Sequence, residues 1–455
     1  MQSSRIKLIV GYFALALAVL SLFGTASCPA QDIETKVDEY INAQLKLGAF
    51  SGSVLIAQGG KVLLSKGYGM ANLELGVPNT PQTKFRLGSV TKQFTAMAIM
   101  QLQEKGLLNV NDPIIKYIPD YPNGEKITIH HLLTHTSGIP NLTDFPDFLE
   151  TMMIPSPVEK TIERFKNKPL EFEPGEKFSY SNSGYVLLGY LIEKISGKSY
   201  EDFLNENIFQ KLKMFNSGYD HTNTILQNRA SGYTLGTDGL VNAAYIDMSL
   251  PLGGGCLYST VEDMYLWDRA LYTEKLVSKT TMEKIFTPFK EEYAYGWNVS
   301  ELYKHKRISH SGGIDGFASN ISRYPDDDLC IIALSNFEHA AIGKISQDLA
   351  AIVFGEKYEL PQERKVAEID YRICDAYLGQ YQLDTNLAIA ITREGDHLFG
   401  QGTGQPKFEL FPESEIKFFL KIIDAQITFI KNEKGEVKEF ILHQNGKDHP
   451  AKKMD

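Results

Sequence analysis

The segment from Lys92 to Lys105 constrains the fold most: Phe94, Met97, Ala98, Ile99, Met100 and Leu102 leave almost no polar face before Gly106. A helix that is apolar nearly all round cannot lie on a surface, so this spacing predicts a helix in the middle of a domain, closed by a glycine. A second such helix is predicted from about Tyr185 to Ile195, before Gly197. Ser89-Val90-Thr91-Lys92 stands at the start of the first helix. Residues three apart share a helical face, which brings the lysine amine within reach of the serine hydroxyl. Free N–H groups and the helix dipole at that end favour developing negative charge. For Lys92 to act as a base, desolvation and cationic surroundings must lower its reference pKa of about 10.4 by about 3 units, roughly 4 kcal/mol. The same four residues also fit a plain reading, in which Ser89 caps the helix and Lys92 points to solvent.

Around these helices the pattern is mixed. Residues 32 to 48 carry Ile33, Val37, Ile41 and Leu45 at helical spacing. Val54 to Ala57 and Val62 to Leu64, joined through Gly59-Gly60, read as a hairpin that opens an antiparallel sheet. Residues 107 to 180 read as mainly helical and loop-rich. Strands return at Arg307 to His310, Phe317 to Tyr324 and Leu329 to Ser335, which complete the sheet. After a linker over 355–369, short alternating strands at Leu387 to Ile391, Phe408 to Phe411, Ile416 to Ile423, Ile427 to Ile430 and Phe440 to His443 predict a closed or nearly closed antiparallel barrel over 370–455. The expectation is an α+β fold: an antiparallel sheet flanked by helices with a mainly helical subdomain over 31–354, then the barrel.

The formal charge of −10 over 455 residues argues against nucleic acid as a partner, because that role needs a basic face. Residues 1–30 read as an export signal, with Arg5 and Lys7 ahead of an apolar run to Phe23 that is short for a membrane span. A periplasmic or secreted product is the expectation. Cys28 after Thr25-Ala26-Ser27 offers the alternative of a lipidated, membrane-attached form, although the usual leucine three residues earlier is missing. The other cysteines, Cys256, Cys330 and Cys374, are odd in number and far apart, which indicates neither a disulfide framework nor a Cys-based metal site.

Two further motifs accompany the serine: Tyr180-Ser181-Asn182 ahead of the second apolar helix, and His310-Ser311-Gly312-Gly313 opening a strand. In this order and separation, the three make the chain resemble the serine β-lactamase and penicillin-binding protein superfamily over about residues 35 to 350. The similarity is greatest to the branch with class C β-lactamases, D-aminopeptidases, D-alanyl-D-alanine carboxypeptidases and family VIII esterases. Phe85-Arg86-Leu87-Gly88, the run His131 to Gly138, and Gly254-Gly255 with Ser259-Thr260 and Asp263 fit as framework. The C-terminal region is similar to the lipocalin-like β-domain often appended to such hydrolases. The resemblance implies a β-lactamase/transpeptidase-like fold and acyl-enzyme chemistry on a small-molecule or short-peptide substrate, with no cofactor and no metal. It implies Ser89 as nucleophile, Lys92 and Tyr180 as the proton-transfer pair, and Asn182 as an amide orienting Lys92 and substrate. His310, Ser311 and Gly312 fall in the substrate-binding strand, and the backbone N–H groups of Ser89 and Gly313 form the oxyanion hole. Tyr180 could serve as a phenolate if nearby positive charge lowers its pKa of about 10.

One departure matters: the superfamily's β-lactamases and carboxypeptidases usually carry lysine where this chain has His310. A histidine is only about one quarter protonated at pH 7 and anchors a carboxylate less well, which brings ester and D-amino-acid amide substrates forward. Other readings stay beside this one: a carboxypeptidase or β-lactamase, a non-catalytic wall-ligand binding protein, and a zinc hydrolase built on His131 and His135. The zinc reading lacks the glutamate that metalloprotease helices place beside the first histidine, Leu132 standing there. Ser311 lacks the glycine two residues earlier that a nucleophile elbow needs.

Overall fold

Gly59 and Gly60, with φ of 58° and 73°, turn strand β1 (Gly52–Gln58) back onto β2 (Lys61–Tyr68), as a two-residue hairpin turn requires. The computed structural model describes residues 29–454 apart from 237–238, 363, 384–386, 404–406, 421–424, 433–434 and 445–446. The expected export signal and Cys28 lie outside the described residues. Helix α1 (Pro29–Lys46) precedes the hairpin. The central helix α2 (Thr91–Glu104) and the second apolar helix α3 (Asn182–Ser196) stand where their patterns place them, closed by Gly106 and Gly197 at φ of 71° and 69°.

The sheet is completed by β3 (Asn298–Leu302), β4 (His305–Ile314), β5 (Phe317–Tyr324) and β6 (Leu329–Ser335), in the order β3-β4-β5-β6-β1-β2, antiparallel throughout. Helix α4 (Val261–Ala270) covers one face of the sheet, and α5 (Ile342–Phe354) with α1 covers the other. Side chains alternate between these faces. Leu55, Cys330, Ile332 and Leu334 join the core built on α2 and α3, whereas Val54, Ile56, Ile331 and Ala333 join a second core with Val37, Ile41, Ile345 and Leu349. Every residue of α2 from Thr91 to Leu102 is buried. Among its polar members, Gln93 accepts from Trp267 Nε1 at 2.9 Å, and Thr95 Oγ1 donates to the Gly253 carbonyl at 2.6 Å.

Strand β3 and helix α5 were not expected from the sequence. The C-terminal barrel has eight strands: β7 (Gly379–Gln382), β8 (Ala388–Glu394), β9 (His397–Gly402), β10 (Lys407–Pro412), β11 (Lys417–Phe419), β12 (Ala425–Lys431), β13 (Val437–Gln444) and β14 (Lys447–Lys453). It closes through Tyr381 paired with Lys453 and encloses Ile391, Leu398, Phe418, Phe429 and Phe440. Part of the expected linker runs against the barrel, where Ala367 N donates to the Pro412 carbonyl and Arg364 pairs with Glu413 at 3.1 Å. Cys256, Cys330 and Cys374 are free and buried.

Candidate active site

Ser89 lies in a tight turn, Gly88–Val90, at the mouth of α2, and β4 backs directly onto it. Two glycines permit that approach. Gly88 takes φ of 49°, and a Cβ there would come 2.7 Å from the Gly313 carbonyl oxygen; a Cβ on Gly312 would come 2.0 Å from the Leu87 carbonyl oxygen. Gly312 is therefore buried as a packing surface for the serine turn, while Ser311 and Gly313 are exposed and Gly313 has open space on its Cβ side. Strand β3 pairs with β4 only as far as Asn298 opposite Ser309. Beyond that point the outer edge of β4 carries no strand among the described residues, the arrangement in which an extended ligand can add along an edge.

Lys92 is fully buried, and its Nζ lies 2.9 Å from Ser89 Oγ, 2.8 Å from Asn182 Oδ1 and 2.8 Å from the Gly254 carbonyl oxygen. Burial pushes the amine well below its ordinary pKa. The cationic surroundings expected to help are not needed: desolvation is the cause. A neutral amine has two hydrogens and one lone pair. Asn182 Oδ1 and the Gly254 carbonyl can only accept, so they take both hydrogens, and the lone pair is left facing the Ser89 hydroxyl.

Tyr180 is half-buried beside Ser89, and its ring centre lies 4.9 Å from Lys92 Nζ. Its phenol is pushed upward in pKa by burial, with the neighbouring Ser89 hydroxyl opposing. The phenolate expectation is therefore corrected: beside a neutral Lys92 there is no cation to stabilise it, and Tyr180 keeps its proton. Asn182 opens α3, and its backbone N–H donates to Asn141 Oδ1 at 2.9 Å.

His310 departs most from its expected role as a contact for substrate. It borders the cleft but is buried, with both ring nitrogens engaged. Nδ1 lies 2.6 Å from the Ser311 carbonyl oxygen, which can only accept, so Nδ1 carries the hydrogen. Nε2 then accepts from Tyr293 Oη at 3.0 Å. Tyr293 Oη in turn lies 3.2 Å from His135 Nε2, while His135 Nδ1 accepts from the Ser181 N–H at 3.1 Å. The hydrogens therefore run one way, from Ser181 N–H through His135, Tyr293 and His310 to the Ser311 carbonyl, with a backbone group fixing the tautomer at each end. Burial, with the Lys92 amine nearby, pushes His310 down to about 4, and burial drives His135 well below its ordinary value. Both are neutral at pH 7. The chain joins the segment before α3 to the middle of β4, and the His135 ring packs against Tyr180 at 4.1 Å between centres, tilted by 32°.

Sequence reasoning thus missed three participants: His135, seen as framework or as a zinc ligand, the Gly253–Gly255 turn, of which Gly254-Gly255 were seen as framework, and Tyr293, which no pattern marked. The zinc geometry on His131 and His135 does not form. The helix carrying His131 ends at Leu133, and His135 turns away at φ of 56°. His131 Nδ1 instead accepts from Thr128 N in a capping box. The catalytic candidates open onto a cleft of about 500 Å³ lined also by Phe178, Glu292, Ser300, Arg307 and Asn320.

A family model described as Beta-lactamase matches residues 35–352, and one described as a domain of unknown function matches residues 363–453. A penicillin-binding protein of Bacillus subtilis (strain 168) is 33% identical over 434 residues, covering 88% of this chain and 94% of that protein. The octameric penicillin-binding protein homologue from Pyrococcus abyssi superposes with a TM-score of 0.64 at 28% identity, over 92% of this chain and 99% of that one. The D-amino acid amidase from Ochrobactrum anthropi SV3 shares the fold, with a TM-score of 0.64 at 21% identity over 71% of this chain and 99% of that one.

Proposed function

The chain belongs to the beta-lactamase family and is related to penicillin-binding proteins, and on that premise we propose that it hydrolyses small esters, amides or D-amino-acid peptides through an acyl-Ser89 intermediate. One observation carries the reading: a fully buried Lys92 amine with both hydrogens committed and its lone pair facing Ser89 Oγ. As Ser89 Oγ bonds to the substrate carbonyl carbon, its proton passes to Lys92 Nζ. The resulting ammonium has three hydrogens and three oxygen acceptors already in place. The oxyanion is met by the backbone N–H groups of Ser89 and Gly313. When the bond to the leaving group breaks, the leaving atom takes a proton from the Tyr180 hydroxyl, which Lys92 replenishes. Water then attacks the ester carbon, its proton returns through the same pair to Ser89 Oγ, and the acid product leaves.

The neutral, enclosed His310 supports esters and amides over β-lactams, because it offers no fixed positive charge to a carboxylate beside the scissile bond. The test is a panel of p-nitrophenyl esters, a chromogenic cephalosporin, D-Ala-D-Ala peptides and D-aminoacyl amides, run on wild type and Ser89→Ala. Turnover of the esters or amides, lost in Ser89→Ala together with the covalent adduct seen by intact mass, is the expected result. Activity that survives in Ser89→Ala overturns the assignment.

A further inference from the structure

The cleft does not end at Ser89 but continues along β4 to Arg307, against Ser300, Ser309, Ser322 and Gln347. That lining is unusual for a sheet face covered by a helix. Elsewhere the face beneath α5 is apolar, carrying Val54, Ile56, Ile331 and Ala333. At the β4–β5 corner, Ser309, Asn320 and Ser322 are buried instead, and a chain of hydrogen bonds runs through Ser322 and Asn320 to Ser311. Ser346 Oγ on α5 donates to Ser322 Oγ at 3.2 Å, Ser322 Oγ to Asn320 Oδ1 at 2.9 Å, and Asn320 Nδ2 to Ser311 Oγ at 2.8 Å. A polar corner of this kind costs apolar burial, and it presents hydroxyl and amide groups where a wholly apolar face would have none to offer a polar ligand.

Arg307 supplies the charge. Its Nε donates to Ser300 Oγ at 3.1 Å, and among the described residues no carboxylate pairs with it. Two residues past Ser322 on the same face of β5, the buried hydroxyl of Tyr324 has no hydrogen-bond partner. Glu292, exposed at the cleft, is the carboxylate among the lining residues, and no ion pair joins it to Arg307. An unneutralised guanidinium beside hydroxyl and amide groups is suited to a carboxylate, which it can hold in a forked pair of hydrogen bonds.

The strand sets the spacing. Arg307 stands five residues before Gly312, which packs on the serine turn, so about 17 Å of strand separates the two at roughly 3.3 Å per residue. The arginine side chain recovers several ångströms, and an extended ligand covers about 3.3–3.6 Å per residue. We infer that Arg307 and the polar corner of β4 and β5 form a subsite for a substrate carboxylate lying about three to five residues from the scissile carbonyl. The carboxylate is an acidic side chain or a chain end; the group next to the scissile bond is out of reach. The distance is counted from Gly312 because that residue packs on the Ser89 turn, so this subsite rests on the acyl-Ser89 reading.

The test uses p-nitrophenyl esters of glycine oligomers capped with succinyl or its neutral amide, with one or four residues between cap and ester, and a second pair carrying Asp or Asn at the fourth residue. In the full chain, kcat/KM is expected to favour the acid about tenfold, equivalent to about 1.4 kcal/mol, at the long spacing and not at the short one. Arg307→Gln should bring that ratio to about one. Preference for the succinyl pair or the Asp pair supports the subsite and names the source of the carboxylate. Equal rates for acid and neutral esters at the long spacing, or a ratio unchanged in Arg307→Gln, overturns it. If wild type turns over none of these esters there is no rate to compare, and the acyl-Ser89 reading fails with them only when the amides and peptides of the substrate panel are also left intact. The subsite is then decided by fluorescence anisotropy of labelled acid and amide peptides on Ser89→Ala, where equal affinities reject it.

Discussion

Asn182 Oδ1 accepts from Lys92 Nζ at 2.8 Å, which makes the Asn182 amide one of the groups that decide where the lysine lone pair points. Asn182→Asp keeps the oxygen but adds a negative charge, which raises the lysine pKa and fills the lone pair with a proton. On the best ester, kcat/KM at pH 7 should fall by about two orders of magnitude and recover as pH rises toward 10. Asn182→Ala, which adds no charge, should lose activity without that alkaline recovery. Superimposable pH–rate profiles for wild type and Asn182→Asp would rule out an uncharged amine as the base.

Lys92→Met tests the same proton through stability. Burial holds the Lys92 pKa well below its ordinary value. Between the folded value and about 10.4 the unfolded chain holds a proton that the native state does not. Wild-type stability therefore rises with pH across this window and is lost as pH falls, by up to about 1.4 kcal/mol per unit. The methionine variant lacks this term. Urea unfolding at pH 7, 8 and 9 should show wild type gaining on Lys92→Met at each step, and parallel trends would mean that the native lysine is charged.

Tyr293→Phe removes the central hydroxyl of the chain from His135 to His310, leaving two buried imidazole nitrogens without a partner. A loss of about 1–3 kcal/mol is expected in denaturant unfolding. Turnover should fall as well, since His135 packs against Tyr180. A variant as stable as wild type would show that the hydroxyl is not shared by the two rings.

Gly312 and Gly313 are adjacent yet should respond differently to alanine. A Cβ at Gly312 meets the Leu87 carbonyl oxygen at 2.0 Å, so Gly312→Ala must push β4 off the serine turn, with a large fall in Tm and in activity. Nothing lies within 4 Å of a Cβ at Gly313. Gly313→Ala should fold with nearly the wild-type Tm and lose kcat/KM because the methyl stands where substrate approaches. Thermal scans and ester kinetics on the pair check this, and the reverse ranking would contradict the packing.

Much of this site was legible because its parts are local. Ser89 and Lys92 share one turn, Tyr180 and Asn182 flank one helix start, and the apolar circumference of α2 placed that turn inside the domain. Protonation was not legible at Tyr180 or His310, because burial and partners distant in sequence set it. Tyr293, which fixes the state of His310, follows two residues of positive φ in a loop without periodicity. The Gly254 contribution is a backbone carbonyl, which no side-chain pattern reveals. Strand β3 alternates too little apolar character to stand out, since it is a sheet edge. Helix α5 is different: Ile342, Ile345, Leu349 and Ile352 at helical spacing before Gly355 were there to be read.

The pairing of β1 with β6 has a consequence for assembly. Gly52 sits opposite Ser335, so two stretches separated by some 280 residues of chain must meet before the middle of the sheet exists. Contacts this remote slow folding and keep unpaired strand edges exposed until late. During synthesis strands β1 and β2 wait for nearly the whole of residues 69–328 to emerge before β6 can join them. A nascent chain halted before Leu329 has the nucleophile turn but no finished platform to hold it, and chaperone dependence should be greatest in that interval.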